Sequence, residues 1–178
     1  EKNMVAIEER KGMIAYGDEA FEMHEKAPSN IEVLYPMSFG TVASITYMQE
    51  FLKAFLETHT KGSLKGAEFV VALPTDVQDR VFSTLIQGTG LKSKNIQMID
   101  KPVAAGLGLG LDVTQSQGVM IVDVGADTTE ISILSLGGTV TSKLIKNGGN
   151  KIDEAIANAI RREYGYFIGN KTAEILKN

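Results

Sequence analysis

The chain has 178 residues, a formal net charge of −4 and no cysteine. Its 43% hydrophobic and 22% charged content fits a globular protein, long enough for one large domain or two small ones. The acidic balance, with no basic stripe, argues against a general nucleic-acid binder; the lack of thiols excludes disulfides and cysteine-bound metal and suits a reducing compartment.

In chain order, Met4 to Glu8 and Met13 to Tyr16 predict a hairpin around Arg10-Lys11-Gly12. Asp18 to Glu25 predicts a short helix, and Ile31 to Tyr35 a strand closed by Pro36. Val42, Ile45, Met48, Phe51, Leu52, Phe55 and Leu56 then fall on one face at helical spacing, a stripe that reads as core. Phe69 to Leu73 is a continuous apolar run, as expected of a strand buried on both faces. Thr75 and Gln78 have capping-box spacing and predict a helix from there, with Val77, Val81, Leu85 and Ile86 inward and Gly88 at its end. Ile96 to Ile99 is the next strand. Pro102 suits the first turn of a helix, Val103 to Leu109, whose Ala104, Ala105, Gly106 and Gly108 imply close packing. The polar stretch Asp112 to Gly118 reads as a linker. Asn150 suits the N-cap of a helix with Ile152, Ile156 and Ile160 on its apolar face, and Lys171 to Lys177 predicts a last helix after breaks at Gly165 and Gly169. Histidines His24 and His59 sit in unrelated segments and read as surface residues. No apolar run approaches the ~20 residues of a membrane span, and both ends read as cut from a longer protein.

The most informative stretch is Val119 to Ile131. An apolar strand ends on Asp123, a turn of small and hydroxyl residues follows, and a second strand leaves at once, with a third from Thr139 to Ile145 after Leu136-Gly137-Gly138. Such a turn can offer several backbone N–H groups and two hydroxyls to one anion, and Asp123 could hold a hydrated cation beside it. It is not a P-loop, which needs its glycines and lysine between a strand and a helix. The plain alternative is a β-hairpin with a polar turn.

Several segments, in this order, carry a resemblance. They are Ser29-Asn30-Ile31 with Tyr35-Pro36-Met37 and Gly40-Thr41-Val42-Ala43, then Pro102 to Gly106, Asp123 to Glu130, Gly148 to Ile156, and Ile168 to Glu174. Together they resemble the bacterial actin homologue MreB family of the actin, DnaK and sugar-kinase superfamily. The resemblance implies an α/β, actin-like ATPase (ribonuclease H-like) fold, here partial, with mixed sheets flanked by helices. It implies residues 1–116 as the remainder of a first actin-like domain and 117–178 as the start of a second, which carries the second phosphate loop. It further implies an ATP-binding cytoskeletal filament subunit of cell shape, working with Mg. Such a protein would be cytoplasmic or at the inner face of the cell membrane, and would associate with itself, with cell-wall machinery and with a membrane surface. Asp123 would act at the metal through water. The backbone of Gly125, Ala126 and Asp127, with Thr128, would face phosphates, and Glu174 and Lys177, one helical turn apart, would reach the adenosine. The plain alternative for that last pair is a surface ion pair.

Departures from the family pattern shape the expectation. The first phosphate loop and the last nucleotide loop are missing. The glycine run is altered to Gly125-Ala126-Asp127, where alanine tolerates positive φ poorly and a carboxylate repels phosphate unless a cation intervenes, so weaker nucleotide affinity or a metal-dependent variant is expected. The family's glutamate before the helix proline, associated with the attacking water, is replaced by Lys101; Asp100, one residue earlier, is the only substitute in sight, so no catalytic set is intact. A protonated lysine cannot accept a proton, and little or slow hydrolysis follows. Two alternatives stay open: a DnaK-type nucleotide-dependent chaperone or reactivase, and an actin-fold scaffold that lost its chemistry. The isolated piece is expected to dimerise or swap elements over faces that the absent strands would cover.

Overall fold

The computed structural model describes residues 2–24, 26–75 and 77–178. The chain divides into two compact units, residues 1–71 with 78–98 and residues 72–77 with 99–178, and passes between them three times, twice within a strand.

In the first unit, β1 (Val5–Glu8) lies between β2 (Gly12–Tyr16) and β3 (Ile31–Leu34), antiparallel to both. Met4 to Ile7 is apolar without a break because both faces of β1 are covered. Val5 and Ile7 pack with Met48, Phe51 and Leu85, while Met4 and Ala6 pack with Ala15 and Ala20. Helix α1 (Gly17–Met23) supplies Ala20; its expected last residue, Glu25, lies outside the described residues. A small hairpin, β4 (Met37–Ser38) and β5 (Thr41–Val42), turns through Phe39 and Gly40, both at positive φ. Helix α2 (Ile45–His59) starts after it, with the Ser44 Oγ accepting from the Tyr47 N–H at 3.4 Å. Val42, expected on the helical stripe, therefore reaches the same core from a strand, and Ile45 is exposed.

Helix α3 (Asp79–Gly88) buries Phe82, Leu85 and Ile86. The expected capping box is not formed. Gln78 is the N-cap without a side-chain bond, and Thr75, in the second unit, bonds elsewhere. Val77 accordingly precedes the helix. Strands β6 (Glu68–Leu73) and β7 (Asn95–Asp100) form a two-stranded pair. The expectation that β6 is buried on both faces is also corrected: Val70 is 67% exposed and only Leu73 is buried, the burial alternating along the strand because only the face of Phe69, Val71 and Leu73 is covered.

In the second unit, β8 (Val119–Val124), β9 (Thr129–Ser135) and β10 (Gly138–Ile145) make an antiparallel meander with β9 in the middle. The β9–β10 turn needs positive φ at Leu136 and Gly137, as tight hairpin turns do. Helix α4 (Lys101–Gly108), with Pro102 in its first turn, covers one face of the meander. Val113, Ile121 and Leu134 form the small core beneath it. The stretch after α4 is ordered by Asp112. The Thr114 hydroxyl donates to its carboxylate at 2.5 Å and the Gln115 amide at 3.0 Å, which together hold it below the usual carboxylate range. Because α4 packs on β9 and β10, residues 99–116 group here with the meander. Helix α5 (Gly149–Tyr164) ends on Gly165 at φ 75°, and α6 (Asn170–Lys177) packs against α5. Ile152, expected on the apolar face of α5, is exposed, and the residue of α5 that is buried is Asp153.

Candidate functional site

The turn between β8 and β9 lies at the surface: Ala126 is exposed, and Gly125, Asp127 and Thr128 are half-buried. It is not packed under apolar neighbours. The Gly125 N–H donates to the Thr128 carbonyl at 2.9 Å, so that amide serves the turn itself. None of Gly125, Ala126 and Asp127 has a positive φ. The strain expected from replacing glycine by Ala126 and Asp127 is therefore absent, because the turn is built from conformations that any L-residue adopts.

The start of α5 holds this turn from below. The N–H groups of Gly149 and Asn150 donate to the carbonyls of Gly125 (2.9 Å) and Ala126 (2.8 Å). Asn150, expected as an N-cap, sits inside the helix, and Gly148 is the cap. The Asn150 side chain instead donates from Nδ2 to Asp127 Oδ1 at 2.7 Å. Gly148 has no room for a side chain: a Cβ there would lie 2.5 Å from the Gly125 oxygen and 2.6 Å from that of Ala126.

Asp123, near the tip of β8, faces Glu130 directly across the ladder. Cross-strand partners share one face of a sheet, here the face toward α4, and two carboxylates so placed repel. Lys101, at the start of α4, relieves this. Its ammonium is 2.5 Å from Asp123 Oδ2 and 3.8 Å from Glu130 Oε2. Glu130 is only 3% exposed. It is satisfied on its other oxygen by the Thr75 N–H at 2.6 Å and by the Thr75 hydroxyl. Asp100 is occupied elsewhere: its Oδ2 accepts from the Thr139 hydroxyl on β10 at 3.0 Å. The hydrated cation expected at Asp123 thus meets a competitor, since the ammonium already sits on that carboxylate. Among the described residues no group of three or more histidine, aspartate or glutamate side chains is arranged to hold a metal. The residues present do not fit a divalent ion at this point.

Lys177 leans on α5. Its ammonium is 3.1 Å from Asp153 Oδ2, in hydrogen-bond geometry, and 2.9 Å from Oδ1, where the attraction is electrostatic only. Asp153 is 5% exposed, so this lysine supplies the counter-charge of a buried carboxylate. The same ammonium would be 3.2 Å from a Cβ on Gly149, a point 3.9 Å from the Ala126 Cα. Lys177 and the turn therefore converge on the first residue of α5, although 50 residues of sequence separate them. Glu174 is half-buried on the same helix. Sequence reasoning did not anticipate the roles of Thr75, Glu130, Asn150 and Asp153 as partners. Their only signal was that three of them fall inside the motif segments.

A family model for MreB/Mbl protein matches residues 1–178. The chain belongs to the MreB/Mbl family. The cell shape-determining protein MreB of Escherichia coli (strain K12) is 36% identical over 173 residues, covering 94% of this chain and 49% of that protein. The cell shape-determining protein Mbl of Bacillus subtilis (strain 168) is 34% identical over 181 residues, covering 99% and 54%. The crystal structure of MreB5 of Spiroplasma citri bound to AMPPNP matches with a TM-score of 0.88 at 30% identity, covering 98% of this chain and 54% of that one. The chain spans about half the length of these relatives and carries part of the actin-like fold.

Proposed function

We infer that this chain is a nucleotide-bearing part of an actin-like cytoskeletal protein that binds ATP, assembles with copies of itself and helps set bacterial cell shape. The observation that carries this reading is the surface turn after Asp123, braced by α5 with the Lys177 ammonium beside it, in a chain matched over its whole length by the MreB/Mbl family. The nucleotide seen with MreB5 of Spiroplasma citri, and the cell shape-determining role in the names of the two curated relatives, support it.

In this reading the turn from Gly125 to Thr128 meets the phosphates. Glu174 and Lys177 meet the adenosine, with Lys177 pre-positioned by Asp153. Residues 1–116 are assigned to the first actin-like domain and 117–178 to the second, although residues 99–116 pack with the meander of the second. Hydrolysis is slow or absent: Lys101 cannot act as a base, and Asp100 is held by Thr139 rather than beside Asp123. The protein works in the cytoplasm, alongside cell-wall machinery and at the inner face of the membrane. No helix among the described residues is long and apolar enough to cross a membrane, so a surface contact is meant.

Calorimetric titration of the full-length protein with ATP tests the reading, together with phosphate release and electron microscopy of assembled material. ATP binding with filaments and little phosphate release is expected. Absence of both heat and thermal stabilisation would overturn nucleotide binding and leave a scaffold, the second reading that Lys101 favours.

A further inference from the structure

Asp123 and Glu130 are paired across β8 and β9 and face α4, so the fold creates a small acidic cleft that requires positive charge. The chain meets that requirement from within. Strand β7 ends at Asp100, Pro102 sets the first turn of α4, and Lys101 between them reaches both carboxylates, at 2.5 Å and 3.8 Å. Its side chain is about one-third exposed and that of Asp123 equally so, which places the ion pair at the mouth of the cleft, on the side of the turn. Glu130 is fixed behind it by Thr75.

We propose that Lys101 is a tethered replacement for the divalent cation, so that a nucleoside triphosphate binds at the Gly125–Thr128 turn without a metal ion. The proposal rests on the nucleotide reading above and concerns the charge that accompanies the phosphates. A hydrated divalent ion needs the lone pairs of Asp123 for its bound waters, and those of Oδ2 already face the Lys101 ammonium. Bringing the ion in would place two cations side by side, or force Lys101 away from Glu130, which is buried and keeps, among the described residues, the neutral Thr75 donors. Left in place, the ammonium is a charged donor beside the turn, able to take a phosphate oxygen as well as Asp123.

The test is calorimetric titration of the full-length protein with ATP in EDTA and again in excess magnesium. The wild-type protein is expected to bind equally in the two buffers, within about threefold; Lys101→Gln should bind at least about tenfold more weakly in EDTA than in magnesium, a gap of about 1.4 kcal/mol. Lys101→Arg, which keeps the charge, should behave as the wild type. Circular dichroism checks that the glutamine variant folds, and the wild-type comparison decides the matter even if it does not. Binding by the wild type only in magnesium overturns the proposal while the nucleotide reading stands. Metal-independent binding by Lys101→Gln overturns the role of Lys101. No binding in either buffer overturns both readings.

Discussion

Helix α4 can be tested at two glycines that differ in what surrounds them. An ideal Cβ on Gly106 would lie 2.7 Å from Val113 Cγ1, 3.0 Å from Leu134 Cδ1 and 3.4 Å from Ile121 Cδ1; on Gly108 it would meet nothing within 4 Å. Leu134 is fully buried, and Val113 and Ile121 nearly so, which leaves these methyls no open space to move into. Alanine in place of glycine favours a helix by up to about 1 kcal/mol. Inserting a methyl into a filled core costs about 1–3 kcal/mol. Gly108→Ala should therefore stabilise the protein by up to about 1 kcal/mol. Gly106→Ala should leave it unchanged or weaken it by about 2 kcal/mol, the difference between the variants being the packing cost. At this chain size each kcal/mol moves the melting temperature by about 2–4 °C. Thermal melts of the two variants side by side read that difference. If Gly106→Ala melts at or above Gly108→Ala, the close approach of α4 to the Leu134 core is refuted.

Lys177→Met should destabilise the protein by about 3 kcal/mol in urea denaturation, because it strands the buried Asp153 carboxylate; Lys177→Arg should cost much less. Asn150→Asp replaces the donor 2.7 Å from Asp127 with a second carboxylate. Repulsion of about 1 kcal/mol at this exposed place should lower the melting temperature, less so in high salt. Adding Asp127→Asn should restore it. The 178-residue chain by itself should self-associate in light scattering, because Met120, Val122 and Val124 are exposed together on β8, an outer strand of its sheet. A strictly monomeric mass at every concentration would contradict that prediction.

What could be read in advance was local. The meander after Gly118, the Gly-rich helix that needs a close neighbour and the bend after Asp123 each declare themselves within a dozen residues. Contacts between distant residues did not. Thr75 carries a capping-box pattern, yet its hydroxyl goes to Glu130, 55 positions away, because a buried carboxylate outbids a helix end. Lys177 stands one helical turn from Glu174 in the sequence, whereas Asp153 on the adjacent helix holds its ammonium. Val42 fitted the helical period, but the Phe39-Gly40 turn diverts it into a hairpin. Periodicity reports which side of an element is apolar, and not what comes to lie against it.

Gly148 touches backbone oxygens of the bend, which cannot swing aside as a side chain would. Random mutagenesis should therefore find the bend and its support at Gly148 unequal. Replacements of the exposed Ala126 side chain alter what a visiting ligand encounters and leave the scaffold whole. Any replacement at Gly148 prises the bend off its support, so loss of function there would signal a broken foundation rather than a lost contact.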